Sequence, residues 1–150
     1  MYVFFSVSEV QRQLLSNRVS FHAVISEHKT VAYNPGQTLI FPTVKNEAGG
    51  GYKKETGIFT APIAGKYIFS ATITTDKSNQ AIVASIKLND IHLVALLAEG
   101  SFKQQTQGSV TTVQYLHAGD KVTVHMILPD NAKIWGGKLT SFAGCLIVPY

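Results

Sequence analysis

The chain has a single cysteine, Cys145, so no intrachain disulfide framework can form and the small, disulfide-dense secreted class is excluded. Cys145 lies in the apolar run 143–148 and is expected to be a buried, inert core residue, with no motif offering it a base. No apolar run approaches the roughly 18 residues of a membrane-spanning helix. The start, MYVFFSV, is apolar but short; without a basic n-region or a small-residue cleavage site it reads poorly as a signal peptide. No Asn-x-Ser/Thr sequon occurs, so glycosylation gives no hint of compartment. Charge is also sparse, at 15% of residues against 45% hydrophobic, which excludes disorder and leaves room for an apolar surface that a partner chain would cover.

Catalytic signatures are missing too. No Gly-x-Ser-x-Gly elbow frames a serine. His22, His28, His92, His117 and His125 show no His-x-x-x-His spacing, and no Cys-x-x-Cys exists, so zinc is unsupported. His117 and His125 read as structural residues of a turn and a strand. Gly49-Gly50-Gly51 lacks the spacing and the following helix of a phosphate loop, and reads as a turn before Tyr52. The chain is expected not to be an enzyme. The net charge of +4 mildly favours anionic partners, but Lys53-Lys54 is the only adjacent basic pair. No basic motif with stacking aromatics appears, so nucleic acid is not an expected partner.

What is present is β patterning. A chain of 150 residues is one domain by length and can bury a sizeable core. In 66–75, Tyr67, Phe69, Ala71 and Ile73 alternate with Ile68, Ser70, Thr72 and Thr74, which is the period of a strand. Similar runs span 19–25, 81–88, 91–98, 109–116, 121–128 and 139–148. Asn89-Asp90 reads as a tight hairpin turn, and His117-Ala118-Gly119-Asp120 as another turn. About ten short strands with regular turn signals predict an all-β sandwich or jelly roll. Residues 1–18 stand apart. Val3, Val7, Val10 and Leu14 follow the spacing of a coiled-coil seam over about two heptads, so this segment reads as an N-terminal leader or a short helical neck.

The stretch 41–69 resembles the signature of the complement C1q-like globular head domain, a family related to tumour necrosis factor. Phe41, five residues, Glu47, four residues, Tyr52, six residues, Phe59, five residues and then Gly65-Lys66-Tyr67-Ile68-Phe69 follow its spacing. Glu47 stands where the family usually has Asn or Asp, and Ala71 where an aromatic is usual. Val19-Ser20-Phe21-His22-Ala23 looks like the opening strand. Ala118-Gly119-Asp120-Lys121-Val122 looks like the late turn-strand corner. Ser141-Phe142-Ala143-Gly144-Cys145-Leu146-Ile147 looks like the closing strand, with Cys145 where an aromatic is common. The resemblance covers 19–150. It implies a ten-stranded jelly-roll β-sandwich that forms a compact homotrimer. A trimer would also explain the low charge, the last strand apolar on both faces and the apolar excess of 91–98.

By the same resemblance the domain is expected to be a secreted, extracellular recognition protein of innate immunity. It would bind glycans or other microbial surface molecules in a lectin-like way through its loops, multivalently. Collagen-type Gly-X-Y repeats, used by some members for assembly, do not occur in this sequence. The alternative is a cytokine-, adipokine- or synaptic-organiser-like trimeric ligand for a cell-surface receptor. A third reading is a structural or adhesive head that trimerises a longer polypeptide, supported only by the Val3 to Leu14 spacing. Two ligand-binding candidates stand out. Tyr52, Lys53 and Lys54 combine an aromatic with two cations, and Lys133, Trp135 and Lys138 place the only Trp between two lysines beside glycines. The opposed reading of both is packing, with Tyr52 in the core and Trp135 capping the sandwich. No cofactor is expected. Some family members bind calcium at apical loops; the corresponding loop, 99–107, offers only Glu99, Gln104 and Gln105, a poor set for a cation that takes six to eight oxygens, although threefold symmetry could multiply it and calcium stays open.

Overall fold

A computed structural model describes residues 3, 4 and 6–150. The leader reading of Met1, Tyr2 and Phe5 lies outside the described residues. Helix α1 runs Val7–Ser16. It opens with a capping box: the Ser6 hydroxyl accepts from the Glu9 N–H at 3.2 Å, and the Glu9 carboxylate accepts from the Ser6 N–H at 2.9 Å. Val7, Val10, Leu14 and Leu15 are all exposed, so the helix lays no apolar face on the rest of the protein.

Twelve strands follow among the described residues: β1 (Ser20–Val24), β2 (Thr30–Tyr33), β3 (Thr43–Ala48), β4 (Tyr52–Lys53), β5 (Ile58–Thr60), β6 (Gly65–Thr74), β7 (Ile82–Leu88), β8 (Ile91–Ala98), β9 (Gln107–Leu116), β10 (Lys121–Leu128), β11 (Ala132–Trp135) and β12 (Ser141–Pro149). Ten of them make two five-stranded sheets. The first is ordered β3-β1-β12-β6-β9 and the second β4-β5-β10-β7-β8, while β11 and β2 pair as a small separate ribbon. All pairings are antiparallel. The chain returns repeatedly from one sheet to the other, the wiring of a jelly roll. β8 and β9 run beside each other where the sheets meet.

The alternation read in 66–75 is the core-forming pattern. Tyr67, Phe69, Ala71 and Ile73 are fully buried, while Ile68, Ser70 and Thr72 face outward. Phe21 and Phe59 lie 5.1 Å apart and stacked, Phe59 meets Phe69 edge-on at 5.4 Å, and Phe142 meets Phe21 edge-on at 4.9 Å. Such geometries add about 0.5–1.5 kcal/mol per pair beyond the area buried. Gly144 makes this packing possible. In register it sits between Phe21 of β1 and Phe69 of β6, and a Cβ there would fall 2.5 Å from the Phe69 ring and 2.8 Å from the Phe21 ring.

Cys145 differs from expectation. Phe142 is buried and Gly144 is pressed against the core rings, so the alternating residues Ala143 and Cys145 fall on the outer side of β12. The thiol is half-buried rather than a core group.

Candidate functional site

The Gly triplet and the strands after it shape a cleft of about 670 Å³, lined by Val44, Glu47, Tyr52, Lys53, Lys54 and Glu55 among others. Gly49 turns the chain with φ 79°, and a Cβ there would lie 2.3 Å from the Arg18 carbonyl oxygen. The Glu47 carboxylate accepts from the Gly50 N–H at 2.5 Å and holds the turn. The pairing of Tyr52 with Phe59 and of Lys53 with Ile58 then sends the Tyr52 ring inward and Lys53 outward.

Tyr52 is only 9% exposed and stacks on Phe21 at 4.9 Å. Its hydroxyl donates to the Phe41 carbonyl at 2.8 Å and accepts from the Phe41 N–H at 3.1 Å. Burial pushes its phenol above the usual tyrosine range, offset in part by the bond to the Phe41 backbone. This ring therefore pins the segment around Phe41 to β4 from inside the core. Lys53 and Lys54 remain exposed, with Glu47 and Glu55 beside them in the cleft lining. The cleft thus carries both signs of charge. Glu55 follows Lys54 directly in the chain, but the sequence marked Glu47 only as a signature position, because nothing local showed that the turn folds back over β4.

Lys133, Trp135 and Lys138 form a second surface; none of them lines the cleft around Lys53 and Lys54. In β11, Ala132 and Ile134 are buried, so Lys133 and Trp135 alternate to the other side. The indole is half-buried, and its ring centre is 6.5 Å from that of His28. Thr140 donates its hydroxyl to the Trp135 carbonyl at 2.6 Å, and the Lys138 N–H donates to the Ile25 carbonyl at 2.8 Å. These bonds fix the loop 136–139 that carries Lys138. His28 is a neighbour that the sequence did not point to.

In the loop between β8 and β9, Glu99 and Gln104 are exposed, Gln105 is half-buried, and Phe102 is 72% exposed. The Thr106 hydroxyl donates to the Glu99 carbonyl. Among the described residues, no three His, Cys, Asp or Glu side chains converge as a metal-holding group.

The outer face of the first sheet carries large apolar side chains and few charges. The pairing of β6 with β9 sets Lys66 opposite Tyr115, Ile68 opposite Val113, Ser70 opposite Thr111 and Thr72 opposite Ser109. Tyr115 stacks on Tyr150 at 5.3 Å, and the Lys66 ammonium lies 5.5 Å from the Tyr115 ring centre. Val113 is 47% exposed and Tyr150 78%, and Ile147 and Val148 are exposed too. A shallow depression of about 460 Å³ crosses this face, lined by Ser20, His22, Ile68, Ser70, Ala143 and Cys145 among others.

Three solved structures share this architecture. The globular domain of the zebrafish complement 1qA protein is 20% identical, with a TM-score of 0.72 over 88% of this chain and 99% of that one. Eiger TNF from S. frugiperda is 13% identical, with a TM-score of 0.69 over 89% and 95%. Murine APRIL, in its pH 5.0 structure, is 12% identical, with a TM-score of 0.67 over 87% and 99%. At these identities the likeness concerns the fold, which is the jelly roll common to C1q and tumour necrosis factor domains. The family model for the C1q domain matches residues 20–147, most of the sequence. The chain belongs to the C1q domain family.

Proposed function

We propose that the domain is a non-catalytic, secreted recognition protein of innate immunity that works as a homotrimer and binds glycan or other anionic groups on microbial surfaces. The observation that carries this reading is the outer face of the first sheet, where Ile68, Val113, Tyr115, Ile147, Val148 and Tyr150 surround small residues. Interface cores are depleted in charge and enriched in aromatics in this way. Exposed Ile91 and Leu97 on β8, where the two sheets meet, supply a second apolar surface. A face packing on an edge is a heterologous contact, and such contacts close into a ring when the rotation between copies closes. The exposed seam of α1, through Val7, Val10 and Leu14, suits a short neck in which three copies bury what one leaves in water. The extracellular placement follows the family.

Each subunit would offer Lys53 and Lys54 with Glu47 and Glu55, a mixed rim able to donate to and accept from sugar hydroxyls. Lys133, Lys138 and the indole of Trp135 suit an acidic sugar. Each contact would be weak, and three linked sites raise avidity by about 10²–10⁴. A glycan and lipopolysaccharide panel tests this, run with the native protein and with a Val113→Lys variant that places a charge on the apolar face to block assembly. Binding by the native protein that falls at least a hundredfold in the variant is expected. No hits with the native protein, alongside saturable binding to cells stripped of surface glycans, would replace this reading with a receptor ligand.

A further inference from the structure

The outer face of the second sheet holds a basic group that the recognition surfaces above do not use. β10 pairs with β7 so that His125 lies opposite Ser85, and β7 pairs with β8 so that Lys87 lies opposite His92. The β7–β8 register shifts between Ile86 and Lys87, immediately beside this group. Three basic side chains from three strands thereby line one cleft of about 300 Å³, together with Gly36, Met126 and Ile127. That volume is at the lower end of small-molecule sites, roughly 300–1,000 Å³. Among the described residues, no carboxylate lines it.

Both imidazoles are anchored through one nitrogen. His92 Nδ1 lies 2.5 Å from the hydroxyl of buried Ser85. His125 Nδ1 lies 3.2 Å from the Thr123 hydroxyl and 3.4 Å from that of Thr38. Among the described residues neither Nε2 has a protein partner. Two rings held at fixed orientation, each with one nitrogen uncommitted, and an ammonium beside them form a ready set of donors once the rings are protonated.

We propose that Lys87, His92 and His125 form a pH-gated site for a sulfate-type oxyanion, either the free ion or a sulfate ester on a sugar. At neutral pH, Lys87 is the fixed charge. Imidazoles gain theirs as the pH falls toward mild acid. Burial holds His125 below its ordinary value, and the positive charges of Lys87 and His92 lower it further. The groups packed around it add no opposing charge: β7 brings Ser85 and Lys87, β8 brings His92, and the segment before Leu39 brings Gly36 and Thr38. A bound anion offsets the mutual repulsion, so binding and protonation favour each other reciprocally. The site lies on the sheet opposite the apolar face, and it depends neither on trimer formation nor on glycan binding elsewhere.

The test is an NMR titration of the His92 and His125 ring resonances with sodium sulfate, at constant ionic strength, at pH 5.5 and 7.5. Sulfate keeps its charge across that range. Saturable shifts at pH 5.5 with at least tenfold weaker binding at pH 7.5 are expected, and saturating sulfate should raise the His125 midpoint by about one unit. Lys87→Gln should weaken binding at least tenfold. His125→Gln should flatten the pH dependence, and His92→Gln should weaken binding at pH 5.5. Lys121→Gln, outside the cleft on the same strand, should change neither. A parallel arm with galactose 6-sulfate, against galactose, separates the sources: tighter binding of the ester assigns a sulfated sugar, and equal binding assigns the free ion. Non-saturating shifts, equal affinity at the two pH values, or indifference to Lys87→Gln in a variant with a native-like spectrum would overturn the site.

Discussion

The two sheets turn opposite characters outward. Between β6 and β9 the first sheet displays Ile68, Val113, Tyr115 and a run of serines and threonines, with one ammonium laid near a tyrosine ring. Between β10, β7 and β8 the second sheet displays His125, Lys87 and His92 above the buried hydroxyls of Ser85 and Thr123. Both use the same alternation, so the difference lies in what each face must meet. Apolar side chains left half in water are stabilised when a copy covers them, whereas two imidazoles and a lysine facing one another are stabilised by water or an anion. On this account the first face is for assembly and the second for display.

The largest effect is expected from charging the first face. Val113→Lys should convert three-chain particles to single chains, measured by sedimentation. Leu128→Lys, an exposed apolar position on the second sheet, should leave the three-chain particle intact. Loss of assembly in both would erase the distinction between the sheets. Next comes Gly144→Ala, where the added methyl collides with Phe69 and Phe21 under the apolar face. A loss of about 1–3 kcal/mol in denaturant unfolding is expected for such overpacking.

Tyr52→Phe should cost a similar or smaller amount, about 1–3 kcal/mol, because the buried Phe41 N–H and carbonyl lose their partner. It should leave ligand affinity unchanged, since the ring lies inside the core; a selective loss of binding would return Tyr52 to the surface site.

A smaller effect is expected from pH. The His125 midpoint is lowered by folding, so the unfolded chain takes the proton first. Stability contributed by neutral His125 is full above the ordinary value near 6.5, falls as pH drops below it, and levels off below the folded midpoint. His125→Gln should flatten that part of the stability profile, and an unchanged slope would contradict the assignment. Deleting residues 1–18 should have the smallest effect, weakening the three-chain particle at low concentration without dissolving it. Assembly indifferent to the deletion would remove the neck.

Much of the fold was legible because its signals are local. Tyr67, Phe69, Ala71 and Ile73 announce their own alternation. Asn89, with φ 51°, and Gly119, with φ 93°, make the turns their residue types suggest. Tyr52 was harder, because β4 is two residues long and no alternation can be read over two residues. Cys145 was hidden by an apolar run in which inward and outward positions look alike. Glu47 joins Lys53 and Lys54 only through the fold of the turn, and Lys87, His92 and His125 come together only through strand register and a bulge. Long-range pairing places such groups, and no spacing in the chain encodes it.

The central claim is that the apolar face of the first sheet is covered by copies of the same chain. Light scattering on the purified native protein, at micromolar concentration and neutral pH, tests it most directly. The account predicts a mass of three chains for the native protein and of one chain for Val113→Lys. A native mass of one chain, with the face left open to water, would contradict it.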